Sequence, residues 1–291
     1  MSHPIVFSPT SLREAYEMLA ERGQTAKIFA GGTDLMVLMN SRLLDAAEFI
    51  DIWRLDDLRG IADEGETIRI GALATYTQLI QSPLIRQYNP ALVEASRTIG
   101  AIQIQNRGTL GGNIVNASPA GDSLPVLAAF DAEVEIGNLG GARRVSIHQF
   151  YTGYRRTVLR PDELVLAVRV PKLKAGERSF FRKVGTRRAQ AISKVVMAVK
   201  AEVHQGRIEH ISIGVGSVAP TVIRAPQTEA LLTHTSPDLE LIWQAQKMIY
   251  NEVAPITDLR STERYRRQVT GNVLDKMLRQ LFGIKLDLDF D

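Results

Sequence analysis

Apolar positions follow two rhythms along the chain, and each rhythm marks an element. Leu12, Ala15, Tyr16 and Leu19 recur at helical spacing in residues 11–22, with Ser11 and Glu14 placed as a capping box and Gly23 as the stop. "KIFAGG" reads as a short buried strand entering a glycine turn, and "DLMVLMNSRLL" as a second helix starting at Asp34. Strands are predicted at 48–52 and 67–73, with helices at 75–82 and 89–99, the latter entered through Asn89 and Pro90. Residues 132–136, 143–147 and 163–170 alternate or run apolar and read as further strands. Between them, residues 98–136 open and close on apolar runs but gather Gly, Asn, Thr, Ser and Pro in the middle, which reads as a long polar turn between buried segments.

The pattern turns polar at 171–177, and a boundary there divides the chain into domains of residues 1–175 and 176–291. Beyond it, "SFFRKVG", "SKVVMAVKAEV" and "IEHISIGVGSV" read as strands, while "LELIWQAQKMIYNEV" and "TERYRRQVTGNVLDKMLRQLF" are amphipathic helices. The first part of the chain thus alternates strand and helix, while the tail reads as antiparallel sheet plus helices. No repeat of solenoid period is visible.

Composition changes this picture mainly by exclusion. With 291 residues, 45% hydrophobic and 23% charged, the chain has the makings of a core that needs no staples. A net charge of +3 is too small to suggest a nucleic-acid partner, and the cluster Arg260, Arg264, Arg266 and Arg267 reads as a solvated helix face or a subunit contact. There is no cysteine, which removes thiolate nucleophiles, disulfides and Cys-ligated iron–sulfur clusters together. His3, His148, His204, His210 and His234 are scattered without metal-site spacing, so no metal ligand set is expected and the histidines read as structural or exposed. The start "MSHPIVFSPT" is unlike a secretory leader, and no run approaches the roughly 18 apolar residues of a membrane helix, so a cytoplasmic protein without a membrane span is expected.

Three stretches could carry chemistry. "AGGTD", Ala30 to Asp34, sits between a strand and a helix start, where glycines permit positive φ and let backbone N–H groups reach an anion; an ordinary tight turn is the alternative. "NRGTLGGN", residues 106–113, is neither a P-loop nor a G-x-G-x-x-G fingerprint, yet Gly108, Gly111 and Gly112 with Thr109 and Asn113 could hold a phosphate without lysine; again a plain glycine-rich loop is the alternative. In "NASPAGDSLP", residues 116–125, Asp122 either accepts hydrogen bonds from ribose-type hydroxyls and ring N–H groups or caps the next helix. Glycine turns far apart, with no catalytic His, Cys or metal cluster, suit a long dinucleotide that brings its own reactivity, and no catalytic side chain is assigned.

"AGGTDLM" and "QIQNRGTLGGNIVNASPAGDSLPVLAAFDAEVEI" together resemble the FAD-binding, or medium, subunit of the molybdenum hydroxylases, the xanthine dehydrogenase and carbon monoxide dehydrogenase family. The resemblance extends through "DIWRLDDLRGI" and "SFFRKVGTRRAQAISKV" to "DLRSTERYRRQV", essentially the whole chain. It implies a vanillyl-alcohol-oxidase-type, PCMH-like FAD-binding domain of two α+β subdomains, with FAD extended between them, and a smaller C-terminal α+β domain. It places Ala30, Gly31, Gly32, Thr33, Asp34, Leu35, Met36 and Val37 around the pyrophosphate, and Thr109, Gly111, Gly112 and Asn113 at the cofactor from the second turn. Ile99, Asp122, Leu166 and Lys183 fall at further cofactor-contact positions, and Ile192, where the family sets a side chain near the flavin ring, is given packing rather than catalysis.

The function implied is electron relay. A molybdopterin-binding large subunit oxidises a substrate, a small subunit with [2Fe-2S] clusters passes electrons on, and the FAD subunit delivers them to an external acceptor, in a cytoplasmic dimer of heterotrimers. Lacking cysteine, this chain cannot hold such clusters itself. The competing readings are a structural or assembly subunit without flavin, which the intact glycine motifs oppose, and a stand-alone flavin oxidase of the same fold. The latter needs acid–base groups, for which no His or Tyr pair is placed.

Overall fold

A computed structural model of the chain describes residues 4–44, 46–187 and 190–283, so His3 lies outside the described residues. The chain forms two compact units, one from residues 1–87, 99–118 and 131–172, the other from 88–98, 119–130 and 173–291. Two short segments from the first 175 residues thus pack with the C-terminal stretch.

In the first unit a parallel three-stranded sheet has the order Ile5–Phe7, Glu48–Asp51, Lys27–Phe29. Helix Leu12–Arg22 buries Ala15 and Leu19 in a core with Ile50, Ile52, Leu58 and Leu73. Its capping box is half formed: Ser11 accepts from the Glu14 N–H at 3.2 Å, but the Glu14 carboxylate turns to Thr10. Gly23 ends the helix in right-handed conformation, and a Cβ there would meet Pro161 O at 2.0 Å, so the glycine permits a backbone approach rather than a left-handed turn.

The second sheet of this unit is antiparallel, in the order Ile61–Glu64, Thr67–Gly71, Leu164–Pro171, Glu133–Asn138, Gly141–Ser146. Its central strand Leu164–Pro171 is almost wholly buried, which accounts for the unbroken apolar run "LVLAV". The ladder slips between Val165 and Ala167, leaving Leu166 in a bulge.

The polar stretch between these sheets is not the turn its composition suggests. It folds into helices Ile102–Arg107, Leu110–Asn116 and Leu124–Ala129. Gly and Asn lower helix propensity, but here tertiary bonds decide. Thr109 Oγ1 accepts from the Gly112 N–H, and the Leu110 and Gly111 N–H groups donate to Ala74 O and Ala72 O at 3.0 and 2.9 Å.

In the second unit a four-stranded antiparallel sheet has the order Glu177–Val184, Val195–His204, Arg207–Gly216, Ile223–Arg224. Val195, Met197, Val199 and Ala201 join a core with Ile242, Ile249, Leu274 and Leu278 of helices Leu239–Glu252 and Glu263–Phe282. Helix Leu124–Ala129 packs on the same sheet so closely that a Cβ on Gly214 would lie 2.0 Å from Pro125 O. Arg266 departs from the solvated face expected of its cluster: it is 4% exposed and Nη2 bonds both carboxylate oxygens of Asp258. No helix among the described residues is long and apolar enough to cross a membrane.

Candidate functional site

Strand Lys27–Phe29 delivers the chain into the turn at residues 30–34, and helix Leu35–Asn40 leaves it. Gly32 has φ +77, a backbone state that glycine adopts without strain. Gly31 is needed for space instead: a Cβ would sit 1.9 Å from Arg107 O. The first glycine motif is therefore seated against the start of the second.

Backbone hydrogen bonding divides the two motifs sharply. In the first turn Gly32 O and Asp34 O accept from Met36 and Leu38, while the N–H groups of Gly31, Gly32, Thr33, Asp34 and Leu35 have no acceptor among the described residues. Met36 and Val37 beyond it are exposed, at 45% and 64%. Successive unspent donors on an accessible turn form a concavity for an anion.

In the second motif the donors are spent internally, since Leu110, Gly111, Gly112 and Asn113 all donate to Ala74, Ala72 or Thr109. With those four N–H groups spoken for, the second motif has fewer backbone donors to offer a phosphate than the first turn. What this motif offers is a surface. Gly112 is exposed, and a Cβ would meet only Thr109 Oγ1, at 2.9 Å. Thr109 and Gly111 are buried and Asn113 is half-buried. Tyr151, half-buried, donates from its hydroxyl to Ile114 O at 3.3 Å, and Arg155 donates to Asn116 Oδ1 at 2.9 Å, so the ribbon around residues 151–157 braces helix Leu110–Asn116.

In the second unit Lys183 and Asp122, distant in sequence, meet as a buried ion pair with Nζ to Oδ2 at 2.6 Å and both side chains 8% exposed. Lys183 also donates to Thr98 O at 3.0 Å, and the Ser193 hydroxyl donates to Asp122 Oδ1. Asp122 does not cap the helix that follows; Ser123 occupies that position. Burial pushes the Asp122 carboxyl above its ordinary value, and Lys183 and Ser193 pull it part of the way back. A carboxylate so held retains lone pairs for polar hydrogens of a ligand.

The remaining expected residues differ in setting. Ile99 is half-buried and accepts from Gln105 Nε2 at 3.1 Å. Leu166 is core, 7% exposed, with its carbonyl taken by the Ala72 N–H. Ile192, expected to pack, is 53% exposed. Ser193, one residue on, went unnoticed because a lone serine carries no signal until the fold sets it against Asp122. Among the described residues no three acidic or histidine side chains group as a metal site.

Comparison with known proteins gives the family of the chain. The family model described as the FAD binding domain in molybdopterin dehydrogenase matches residues 2–173, and that of the CO dehydrogenase flavoprotein C-terminal domain matches residues 180–281. The chain is 31% identical to the xanthine dehydrogenase FAD-binding subunit of Escherichia coli O157:H7, covering 93% of each chain. It is 31% identical to the carbon monoxide dehydrogenase medium chain of Hydrogenophaga pseudoflava, over 93% of this chain and 94% of that one. It superposes on the reconstituted CO dehydrogenase from Oligotropha carboxidovorans with a TM-score of 0.93 at 28% identity, covering 98% and 99% of the two chains. An FAD-binding domain followed by a C-terminal flavoprotein domain, along nearly the full length of such relatives, identifies the chain as a flavoprotein subunit whose cofactor is FAD, and it belongs to the family of FAD-binding medium subunits of xanthine and carbon monoxide dehydrogenase type.

Proposed function

We propose that this chain is the electron-transfer station of a cytoplasmic molybdenum hydroxylase, taking electrons from the [2Fe-2S] clusters of a small partner subunit and passing them through FAD to an external acceptor. The observation that carries the cofactor's placement is the run of N–H groups from Gly31 to Leu35 without acceptors among the described residues, together with the accessible backbone at Gly112. Residues 30–37 wrap the diphosphate, the N–H groups of residues 31–35 taking the place of water around its charge. Thr109, Gly111, Gly112 and Asn113 lay a flat surface along the cofactor, which a branched side chain would interrupt. Ile99 and Leu166 add apolar contact, and Asp122 with Lys183 accepts and donates hydrogen bonds at fixed points. Bound FAD supplies what side chains lack, the ability to exchange electrons both singly and in pairs.

The absence of cysteine supports a separate cluster-bearing partner. The substrate-oxidising centre lies on a molybdopterin-binding large subunit, and the three chains form a dimer of heterotrimers. The FAD-binding portion runs to about residue 175 and a C-terminal domain follows.

Titrating the apo chain with FAD and with riboflavin, followed by flavin fluorescence, tests the placement. Riboflavin lacks the diphosphate, and affinity at least about tenfold weaker than for FAD is expected. Equal affinities would remove the diphosphate role from residues 30–37.

A further inference from the structure

One side chain that the cofactor reading leaves unused grips the backbone on two sides of Asp122. Arg266 lies in helix Glu263–Phe282 and is 4% exposed despite its permanent charge. Its Nη1 donates to Lys194 O and to Ser217 O, each at 2.9 Å, and its Nη2 donates to Asp258 Oδ1 and Oδ2 at 2.9 and 3.0 Å. Asp258 is itself fixed, accepting the N–H groups of Arg260 and Ser261 at 2.9 and 3.0 Å.

Both carbonyls that Arg266 holds lead to the carboxylate. Lys194 follows Ser193, whose hydroxyl bonds Asp122, and the Lys194 N–H donates at 2.8 Å to Val184 O, next to Lys183. The Ser217 N–H donates at 2.7 Å to Pro119 O, on the segment that carries Asp122. A guanidinium is an expensive way to hold two strands together. Its charge is desolvated, and Nε is buried without a hydrogen-bond partner among the described residues. Buried ion pairs are weak sources of stability beside well-packed apolar residues; what a forked, planar donor adds is a fixed geometry among several acceptors.

We propose that Arg266, clamped by Asp258, is a positioning residue that fixes the Asp122–Lys183–Ser193 cluster in register for the cofactor. The inference rests on the reading that Asp122 and Lys183 meet FAD. Arg266 acts through the backbone at residues 194 and 217, so its removal leaves Asp122 ionisable but misplaced.

The test measures FAD dissociation constant and flavin midpoint potential on the full chain for the wild type, Asp122→Asn, Arg266→Lys and the double variant. Lysine keeps the charge but cannot fork to Asp258 and two carbonyls, so Arg266→Lys should weaken FAD about tenfold or shift the potential while thermal unfolding stays cooperative. Asp122→Asn should do the same, and the double variant should be no worse than Asp122→Asn, because the group being positioned is already gone. Additive losses, or a native dissociation constant and potential in Arg266→Lys, overturn the inference while leaving Asp122 at the cofactor. Native values in Asp122→Asn remove Asp122 from the cofactor and the inference with it. If Arg266→Lys does not fold, Asp258→Asn loosens the same clamp from its other end and is read by the same outcomes.

Discussion

Gly111 and Gly112 are neighbours that are glycine for different reasons. A Cβ on Gly111 would lie 2.7 Å from both the Cβ and the carbonyl oxygen of Ala72, in buried surroundings. Gly111→Ala should therefore destabilise the fold by about 1–3 kcal/mol, as overpacking does, visible as a lower melting temperature of the apo chain. Gly112 is exposed and meets only its own cap, Thr109 Oγ1. Gly112→Val should leave the apo melting temperature within a few degrees of wild type but abolish FAD binding; a variant that still purifies fully yellow contradicts the second motif's role. Glu163 gives a pH prediction on the same scale. Its side chain is 2% exposed and receives Nε and Nη2 of Arg143, both at 2.9 Å. The Arg143 hydrogen bonds hold its carboxyl below the ordinary range against the opposing effect of burial. A depressed acid contributes stability that is present above its unfolded value, about 4.3, and is lost as pH falls through the folded value. Melting temperatures measured downward from pH 6 should thus fall more steeply for wild type than for Glu163→Gln, and parallel curves would contradict the linkage.

At the scale of elements, periodicity carried most of the fold. The helix at Leu12–Arg22, the helices at Leu239–Glu252 and Glu263–Phe282, and the strands Thr67–Gly71, Leu164–Pro171, Val195–His204 and Arg207–Gly216 lie where apolar spacing puts them, because each buries a face whose period it must match, whereas the short ribbon Tyr151–Gly153 and Arg156–Thr157 carries no such period. The segment at 98–136 failed because its helices are short and held in part from outside: "TLGGN" has poor propensity, and beside the Thr109 cap its first N–H groups find their acceptors on Ala72 and Ala74, far away in sequence. Arg266 failed for a related reason, since a charge at a polar-looking helix position reads as exposed until Asp258, Lys194 and Ser217 are brought around it. The glycine turn at 30–34 was legible as strand, turn and helix start, yet which of its glycines needs positive φ and which needs room was not. Thr109 is the element's own weak point. Thr109→Ala removes the cap on Gly112 and should cost about 1 kcal/mol, read in chemical denaturation of the apo chain; an unchanged midpoint would show the cap to be dispensable.

For the whole molecule, the family matches identify a flavoprotein subunit: both are flavoprotein domains, and the relatives they accompany are FAD-binding subunits or medium chains. Its work as a family member is to bind FAD, and the proposed function adds a place in a chain of electron carriers. The most direct test is anaerobic titration of the FAD-loaded chain with its [2Fe-2S] partner subunit, pre-reduced and freed of excess reductant, while the visible flavin absorbance is followed. The account predicts that the flavin band bleaches as the clusters reoxidise, approaching two electrons accepted per FAD, and that the chain alone turns over no hydroxylase substrate. A flavin that stays oxidised beside the reduced partner, or substrate oxidation by the isolated chain, would contradict it.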